Sequence, residues 1–125
     1  MKILVVDDSP TDRKLLTSSL KKAQINHDIL LAENGQKGFD ILREQHRDIC
    51  LVLLDWQMPK MDGMEFMRLS RKVPEMASVP IIMVTSTWDE ESREVARLIN
   101  PNLAGYVVKP FVAEKLIEQI KPYLK

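Results

Sequence analysis

The sequence predicts a doubly wound α/β domain in which five helices cover a parallel sheet of five strands. Apolar runs and helical patterns alternate along the chain, which is the order of parallel strands connected by helices. Three apolar runs contain no polar residue until they end at Asp7 and Asp8, at Asp55 and at Lys109. Such continuous runs are typical of strands buried on both faces. A length of 125 residues suits one domain, so we expect residues 1–125 to form a single domain.

The predicted elements are short and follow one another closely. The strands are predicted at residues 2–7, 28–32, 49–54, 80–85 and 104–108. The helices are predicted at residues 10–23, 35–45, 63–72, 88–99 and 112–123. No linker, repeat or low-complexity segment interrupts this alternation.

Polar residues and prolines mark several helix boundaries. Ser9 offers an N-cap, and Pro10 suits the first helical position that follows it. Segments 62–65 and 87–90 resemble capping boxes, in which the first side chain caps the helix. Pro101 is expected to end the fourth helix sharply, because the residue before a proline avoids helical geometry.

Composition excludes several classes of function. The 18 basic and 18 acidic side chains give a formal net charge of zero, which offers no electrostatic reason to expect nucleic acid or an anionic membrane as a partner. The first apolar stretch is shorter than the ~7–15 residues of a signal peptide, and no stretch approaches the ~18 residues that span a bilayer. We therefore expect a cytoplasmic protein. Cys50 is the single cysteine, so no internal disulfide can form, and its apolar run predicts a small buried side chain.

Acidic side chains follow two of the apolar strands. Because the carboxyl ends of parallel strands meet at one edge of a sheet, where ligands bind, we expect Asp7, Asp8 and Asp55 to lie close together. Three carboxylates repel one another unless a cation bridges them. Oxygen ligands favour Mg²⁺ over Zn²⁺. The sequence therefore predicts a magnesium site at this edge.

The same edge carries the groups that phosphoryl transfer needs. A carboxylate can act as a nucleophile on phosphorus, while a metal and Lys109 neutralise charge on the transferring group. Asp55 is the best candidate for a functional acid, because a lone carboxylate at a buried strand end is costly without a partner. A hydroxyl at the end of the fourth strand, Thr85 or Ser86, would bond a phosphoryl oxygen.

The motifs around these residues occur together, in order, in one family. They are Leu4-Val5-Val6-Asp7-Asp8, Leu54-Asp55-Trp56-Gln57-Met58-Pro59, Met61-Asp62-Gly63, Val84-Thr85-Ser86 and Tyr106-Val107-Val108-Lys109-Pro110-Phe111. On these motifs the chain resembles the receiver domains of two-component response regulators over essentially its full length. Segment 55–59 is especially close to the single-domain chemotaxis regulators. The resemblance implies a flavodoxin-like sheet with the strand order 2-1-3-4-5.

The resemblance also implies a role for each residue of the acidic edge. Asp55 would accept a phosphoryl group from a phosphohistidine on a histidine kinase or a histidine phosphotransfer protein. Asp8, Asp55 and the backbone carbonyl of Gln57 would bind Mg²⁺ directly, and Asp7 would act through a metal-bound water. Lys109 would pair with the phosphoryl group.

Signalling would follow from two further residues. Thr85 would bond the phosphoryl group after activation, and Tyr106 would be the rotameric switch that reports the change to an output partner on the face formed by residues 88–118. The Lys109–Pro110 bond is expected to be cis. The domain would be a phosphorylation-activated signalling switch and not an enzyme, catalysing only its own phosphotransfer and dephosphorylation.

Two other functions share parts of this pattern. A flavodoxin-like cofactor binder needs a hydroxyl- and glycine-rich loop after the first strand, where this chain has the acidic segment 7–10, which would repel a flavin phosphate. An aspartate-dependent phosphatase needs an acid two residues after its nucleophile, where Gln57 stands. Both alternatives are disfavoured on these grounds.

Overall fold

Within the described part of the chain, five parallel strands form one sheet. The computed structural model describes residues 1–124. Its strands are β1 (Lys2–Val6), β2 (Asp28–Ala32), β3 (Ile49–Leu54), β4 (Ile81–Thr85) and β5 (Gly105–Val108). They lie in the order β2-β1-β3-β4-β5, so the doubly wound topology that the resemblance implied is confirmed.

Six α-helices of residues 1–124 cover the sheet, one more than the sequence predicted. They are α1 (Pro10–Lys22), α2 (Gly35–Gln45), α3 (Gly63–Ser70), α4 (Pro74–Ala77), α5 (Glu90–Ile99) and α6 (Ala113–Ile120). The additional helix is α4, whose four residues are too few to produce a periodic apolar pattern. Short 3₁₀ turns follow α2 at His46–Asp48 and α6 at Lys121–Tyr123. No helix within residues 1–124 is long and apolar enough to cross a membrane.

Side-chain caps fix the starts of the helices around the sheet edge. The Ser9 hydroxyl accepts a hydrogen bond from the backbone N–H of Asp12 at 3.2 Å, and Asp62 caps α3 as predicted. The predicted start of the fourth helix at residue 88 is wrong, because Asp89 is the N-cap of α5. The backbone N–H of Thr87 instead donates to the Thr85 hydroxyl.

The core has two layers, one on each face of the sheet. Every residue of β3 is buried, and from Leu51 to Leu54 its side chains alternate between the two layers. Helices α2, α3, α4 and α5 pack on one face, and α1 and α6 pack on the other. This arrangement explains why the strands read as continuous apolar runs, and why Cys50 is a buried member of the core.

Candidate functional site

The sheet carries its functional side chains just beyond the carboxyl ends of its strands. The backbone N–H of Asp55 donates to the carbonyl of Val6 at 3.0 Å, and that of Lys109 donates to Thr85 at 2.8 Å. Asp7 extends β1 in the same way. Each strand ladder therefore continues for one residue, which holds the backbone of these three residues at one edge of the sheet.

Three of the predicted acids converge at this edge. One carboxylate oxygen from each of Asp7, Asp8 and Asp55 lies within 4.8 Å of the other two. Asp7 and Asp55 are buried, whereas Asp8 is exposed. Because all three donors are carboxylate oxygens, the cluster suits a hard divalent cation and offers no soft ligand for zinc.

Lys109 neutralises part of this negative charge. Its ammonium nitrogen lies 2.7 Å from an oxygen of Asp7, 2.9 Å from Asp12 and 3.3 Å from Asp55, and only 12% of its side chain is exposed. Burial alone would lower the pKa of Lys109, but the hydrogen bonds to Asp7 and Asp12 and the charge of Asp55 raise it above its usual value. Lys109 is therefore a fixed positive charge in the site.

Asp12 is the one contact of Lys109 that the sequence reading missed. It lies in the first turn of α1, and its carboxylate reaches the lysine across 97 positions of the chain. The position of Asp12 in the sequence could have predicted this contact. A helix that begins directly after the Asp7–Asp8 pair places its first turn over the same edge of the sheet, within reach of the predicted lysine.

Burial dominates the electrostatics of Asp7. Its side chain is only 2% exposed, and this burial raises the pKa of the carboxyl above its ordinary value. Hydrogen bonds from Lys109 and from the backbone N–H of Ser9 oppose the increase, and the charge of Asp55 adds the smallest contribution. The sequence predicted repulsion between the acids, but loss of solvent is the main cause of the raised pKa of Asp7.

Asp55 is fixed by the chain that follows it. One of its carboxylate oxygens accepts a hydrogen bond from the backbone N–H of Trp56 at 2.7 Å. The carbonyl of Trp56 accepts from the N–H of Gly63 at 2.7 Å, which ties the start of α3 to the site. A Cβ atom on Gly63 would lie 2.4 Å from the carbonyl oxygen of Asp55, so only glycine permits this close approach.

An open cavity of about 1000 Å³ lies over the acidic edge. Its polar lining includes Asp8, Asp12, Asp55, Gln57, Ser86 and Lys109. Of the two hydroxyls predicted at the end of β4, Ser86 lines this cavity, whereas Thr85 is buried and its hydroxyl accepts from the backbone N–H of Thr87 at 3.2 Å. The geometry thus presents one hydroxyl to the cavity and holds the other within the loop.

The predicted switch residue joins β5 to the loop after β4. The Tyr106 hydroxyl donates to the carbonyl of Thr87 at 2.6 Å, and burial raises the pKa of this phenol. Arg93 places its guanidinium 5.2 Å from the centre of the Tyr106 ring. Arg93 is half-buried in this position, whereas Trp88 is 71% exposed. The Lys109–Pro110 bond is cis, as the resemblance implied.

The strand order and the cluster of three acids and a lysine define a receiver module. The chain belongs to the response regulator receiver domain family, whose model matches residues 3–121. It is 35% identical to a chemotaxis protein CheY homolog of Campylobacter jejuni, over 99% of this chain and 92% of that protein. It is 32% identical to chemotaxis protein CheY1 of Helicobacter pylori, over 99% of this chain and 97% of that one. A crystal structure of Vibrio cholerae chemotaxis protein CheY4 superposes with a TM-score of 0.84 at 26% identity, covering 98% of each chain.

Membership in this family assigns the class of function. The chain is a CheY-like receiver domain and a phosphorylation-dependent signalling switch, and it is not a classical enzyme. Receivers of this type interact with kinases and with output partners, and they generally use Mg²⁺ at an acidic pocket.

Proposed function

We propose that residues 1–125 act as a receiver domain in which Asp55 accepts a phosphoryl group from a phosphohistidine on a histidine kinase or histidine phosphotransfer protein. One observation carries this assignment. Asp55 belongs to the converging carboxylates, lies 3.3 Å from the nitrogen of Lys109 and lines the open cavity. Within residues 1–124, Asp7 is not among the residues that line this cavity, and Asp8 makes no ion pair with Lys109. A nucleophile in this position has a fixed positive charge beside it for the group that it receives.

The transfer requires one bond to form and one to break. A carboxylate oxygen of Asp55 attacks phosphorus, the P–N bond to the donor imidazole breaks, and the imidazole nitrogen keeps the electron pair. The N–H of Trp56 holds one carboxylate oxygen of Asp55, which orients the group. Lys109 pairs with the transferred phosphoryl oxygens.

The acidic cluster supports a magnesium site. Asp8 and Asp55 would bind Mg²⁺ directly together with the backbone carbonyl of Gln57, and Asp7 would act through a metal-bound water. A cation held there would supply positive charge that stabilises the transferring phosphoryl group. The residues of the chain supply the rest: Asp55 the nucleophile, Lys109 the second positive charge, and the strand ends the alignment between them.

Signalling in this proposal passes through Thr85 and Tyr106. Thr85 turns its hydroxyl to the phosphoryl group, Tyr106 responds by changing its rotamer, and an output partner reads the face formed by residues 88–118. Support comes from the hydrogen bonds that link both side chains to Thr87. The protein acts in the cytoplasm, and its only catalysis is its own phosphotransfer and dephosphorylation.

Labelling with a small phosphodonor tests the assignment of Asp55. Incubation with acetyl phosphate and Mg²⁺ should add the mass of one phosphoryl group, and Asp55→Asn should remove most of it. Asp48→Asn is the matched control, because Asp48 is an exposed acid directly before β3, whereas Asp55 directly follows that strand. Equal labelling of Asp55→Asn and the wild type would overturn the assignment, and unchanged labelling in EDTA would overturn the role of the metal.

A further inference from the structure

Asp12 holds Lys109 at a shorter distance than the proposed phosphoacceptor does. The nitrogen of Lys109 lies 2.9 Å from Asp12 and 3.3 Å from Asp55. The backbone of Asp12 is fixed, because its N–H donates to the N-cap Ser9. Its carboxylate lies outside the group of three converging acids and lines the cavity above them. Asp12 therefore competes with Asp55 for Lys109, but it does not belong to the cluster of Asp7, Asp8 and Asp55.

The hydrogen-bonding capacity of Lys109 makes this competition consequential. A lysine ammonium has three N–H donors, and three carboxylates surround it here. A phosphoryl group on Asp55 would bring about two negative charges and three acceptor oxygens to the same nitrogen. That group would take over the donor that Asp55 accepts now, and its additional charge and oxygens would draw the lysine away from Asp7 or Asp12.

Solvent exposure indicates which acceptor yields. The side chain of Asp7 is 2% exposed and that of Asp12 is 28% exposed. Separating Lys109 from Asp7 would take the ammonium partner away from a carboxylate that has almost no contact with solvent, which is costly. Asp12 borders the cavity, where water can replace the lysine. Breaking the ion pair between Lys109 and Asp12 therefore costs less free energy than breaking the pair between Lys109 and Asp7.

We propose that Asp12 is a positioning residue that holds Lys109 while Asp55 is unphosphorylated and releases it when Asp55 carries the phosphoryl group, so that Asp12 slows phosphorylation. This inference rests on the proposed function of Asp55. As a consequence, the carboxylate of Asp12 in the first turn of α1 controls how readily Lys109 pairs with the incoming phosphoryl group. The negative charge of Asp12 also repels an anionic phosphodonor that enters the cavity and attracts a cation bound to the neighbouring acids.

Three substitutions test this role. Asp12→Asn should raise the initial rate of labelling by acetyl phosphate at saturating Mg²⁺ by up to about fivefold, the upper range for a partly exposed ion pair. The same variant should bind Mg²⁺ more weakly by isothermal titration, because one negative charge near the cluster is gone. Asp12→Glu, which keeps the charge, should return the labelling rate and the Mg²⁺ affinity toward the wild type, and Asp48→Asn should change neither.

An acid in the first turn of a helix also stabilises that helix. If Asp12 did no more than stabilise α1, the substitutions would give a different result. Asp12→Asn would then lower the melting temperature without raising the labelling rate. Asp12→Ser repeats the test with a residue that suits the start of a helix. A labelling rate at or below wild type in both neutral variants overturns the inference, as does equal acceleration in Asp12→Glu and Asp12→Asn. If the wild type is not labelled on Asp55 at all, the proposed function itself is wrong. This outcome differs from a labelled wild type whose rate does not respond to Asp12, which would contradict only the role of Asp12.

Discussion

Among single residues, Lys109 distributes its charge unevenly over the acidic edge. It contacts Asp7, Asp12 and Asp55, and none of its ion pairs within residues 1–124 involves Asp8. Asp8 is exposed and lies close to two other carboxylates. In the metal-free protein, Asp8 therefore adds repulsion to the cluster without an ion pair to Lys109 in return.

Replacing Asp8 should consequently stabilise the metal-free protein. We expect Asp8→Ala to raise the free energy of unfolding without Mg²⁺ by about 0.5–1 kcal/mol, a value discounted for solvent screening. It should also abolish the gain in melting temperature that Mg²⁺ gives the wild type by binding the native state. Urea melts with and without Mg²⁺ measure both effects. Asp7→Ala is the contrasting variant and should destabilise the protein, because it removes a buried partner of Lys109. Loss of stability in Asp8→Ala would show that Asp8 has a partner that stabilises it.

Tyr106 should titrate later than an ordinary tyrosine. Burial raises the pKa of its phenol above the usual value of 10.0. A spectrophotometric titration of the wild type minus that of Tyr106→Phe, which leaves Tyr123 as the remaining tyrosine, should show a tyrosinate transition above pH 10. Because the folded pKa is raised, the contribution of this group to stability is complete below pH 10 and is lost as the pH rises through the folded pKa. A difference transition at or below pH 10 would contradict the buried environment.

At the scale of elements, the start of α3 packs closely against the end of β3. Gly63 donates to the carbonyl of Trp56 and leaves no room for a side chain beside Asp55. The N-cap Asp62 accepts from the backbone N–H of Glu65 at 2.8 Å and fixes the first turn. The position of α3 and the backbone of Asp55 are therefore coupled.

Gly63→Ala should disturb both the fold and the site. A Cβ atom 2.4 Å from the Asp55 carbonyl forces the backbone to move, which we expect to cost about 1–3 kcal/mol of stability and to slow labelling with acetyl phosphate. Gly105→Ala is the matched control, because its Cβ atom would meet the end of the flexible Gln119 side chain. Chemical denaturation and labelling rates should separate the two variants. Equal behaviour of the two variants would refute the coupling of α3 to Asp55.

At the scale of the whole molecule, two hydrogen bonds connect the end of β4 to Tyr106 on β5. The hydroxyl of Thr85 accepts from the N–H of Thr87, whose carbonyl accepts from Tyr106. If Thr85 turns toward a phosphoryl group, Thr87 loses this acceptor, and the partner of Tyr106 is free to move. A phosphoryl group shifts the equilibrium only if it binds one of these states more strongly than the other.

Phosphorylation should therefore change chemical shifts within residues 88–118. Comparison of amide spectra with and without acetyl phosphate and Mg²⁺ measures this change, and Asp55→Asn under the same conditions is the control. Tyr106→Phe, which removes the hydrogen bond to Thr87, should reduce the amplitude of the change. Changes that occur around Asp55 and avoid residues 88–118 would contradict the proposed output face.

Local patterns in the sequence determined most of the fold. The strands were predictable to within a residue or two because burial on both faces requires continuous apolar runs, as in β3. Asp7, Asp8 and Asp55 were predictable as a cluster because parallel strands bring their carboxyl ends together. The apolar pattern did not predict the order of the strands, which was implied only by the resemblance of the motifs to the receiver family.

Tertiary packing decided what those patterns leave open. The contact of Asp12 with Lys109 joins residues 97 positions apart, and it depends on where α1 packs relative to the end of β5. The choice between Thr85 and Ser86 as the hydroxyl facing the cavity depends on the loop held by Thr87. Apolar periodicity encodes which residues are buried, whereas the partner that a polar side chain selects is set by distances between elements that only the assembled fold defines.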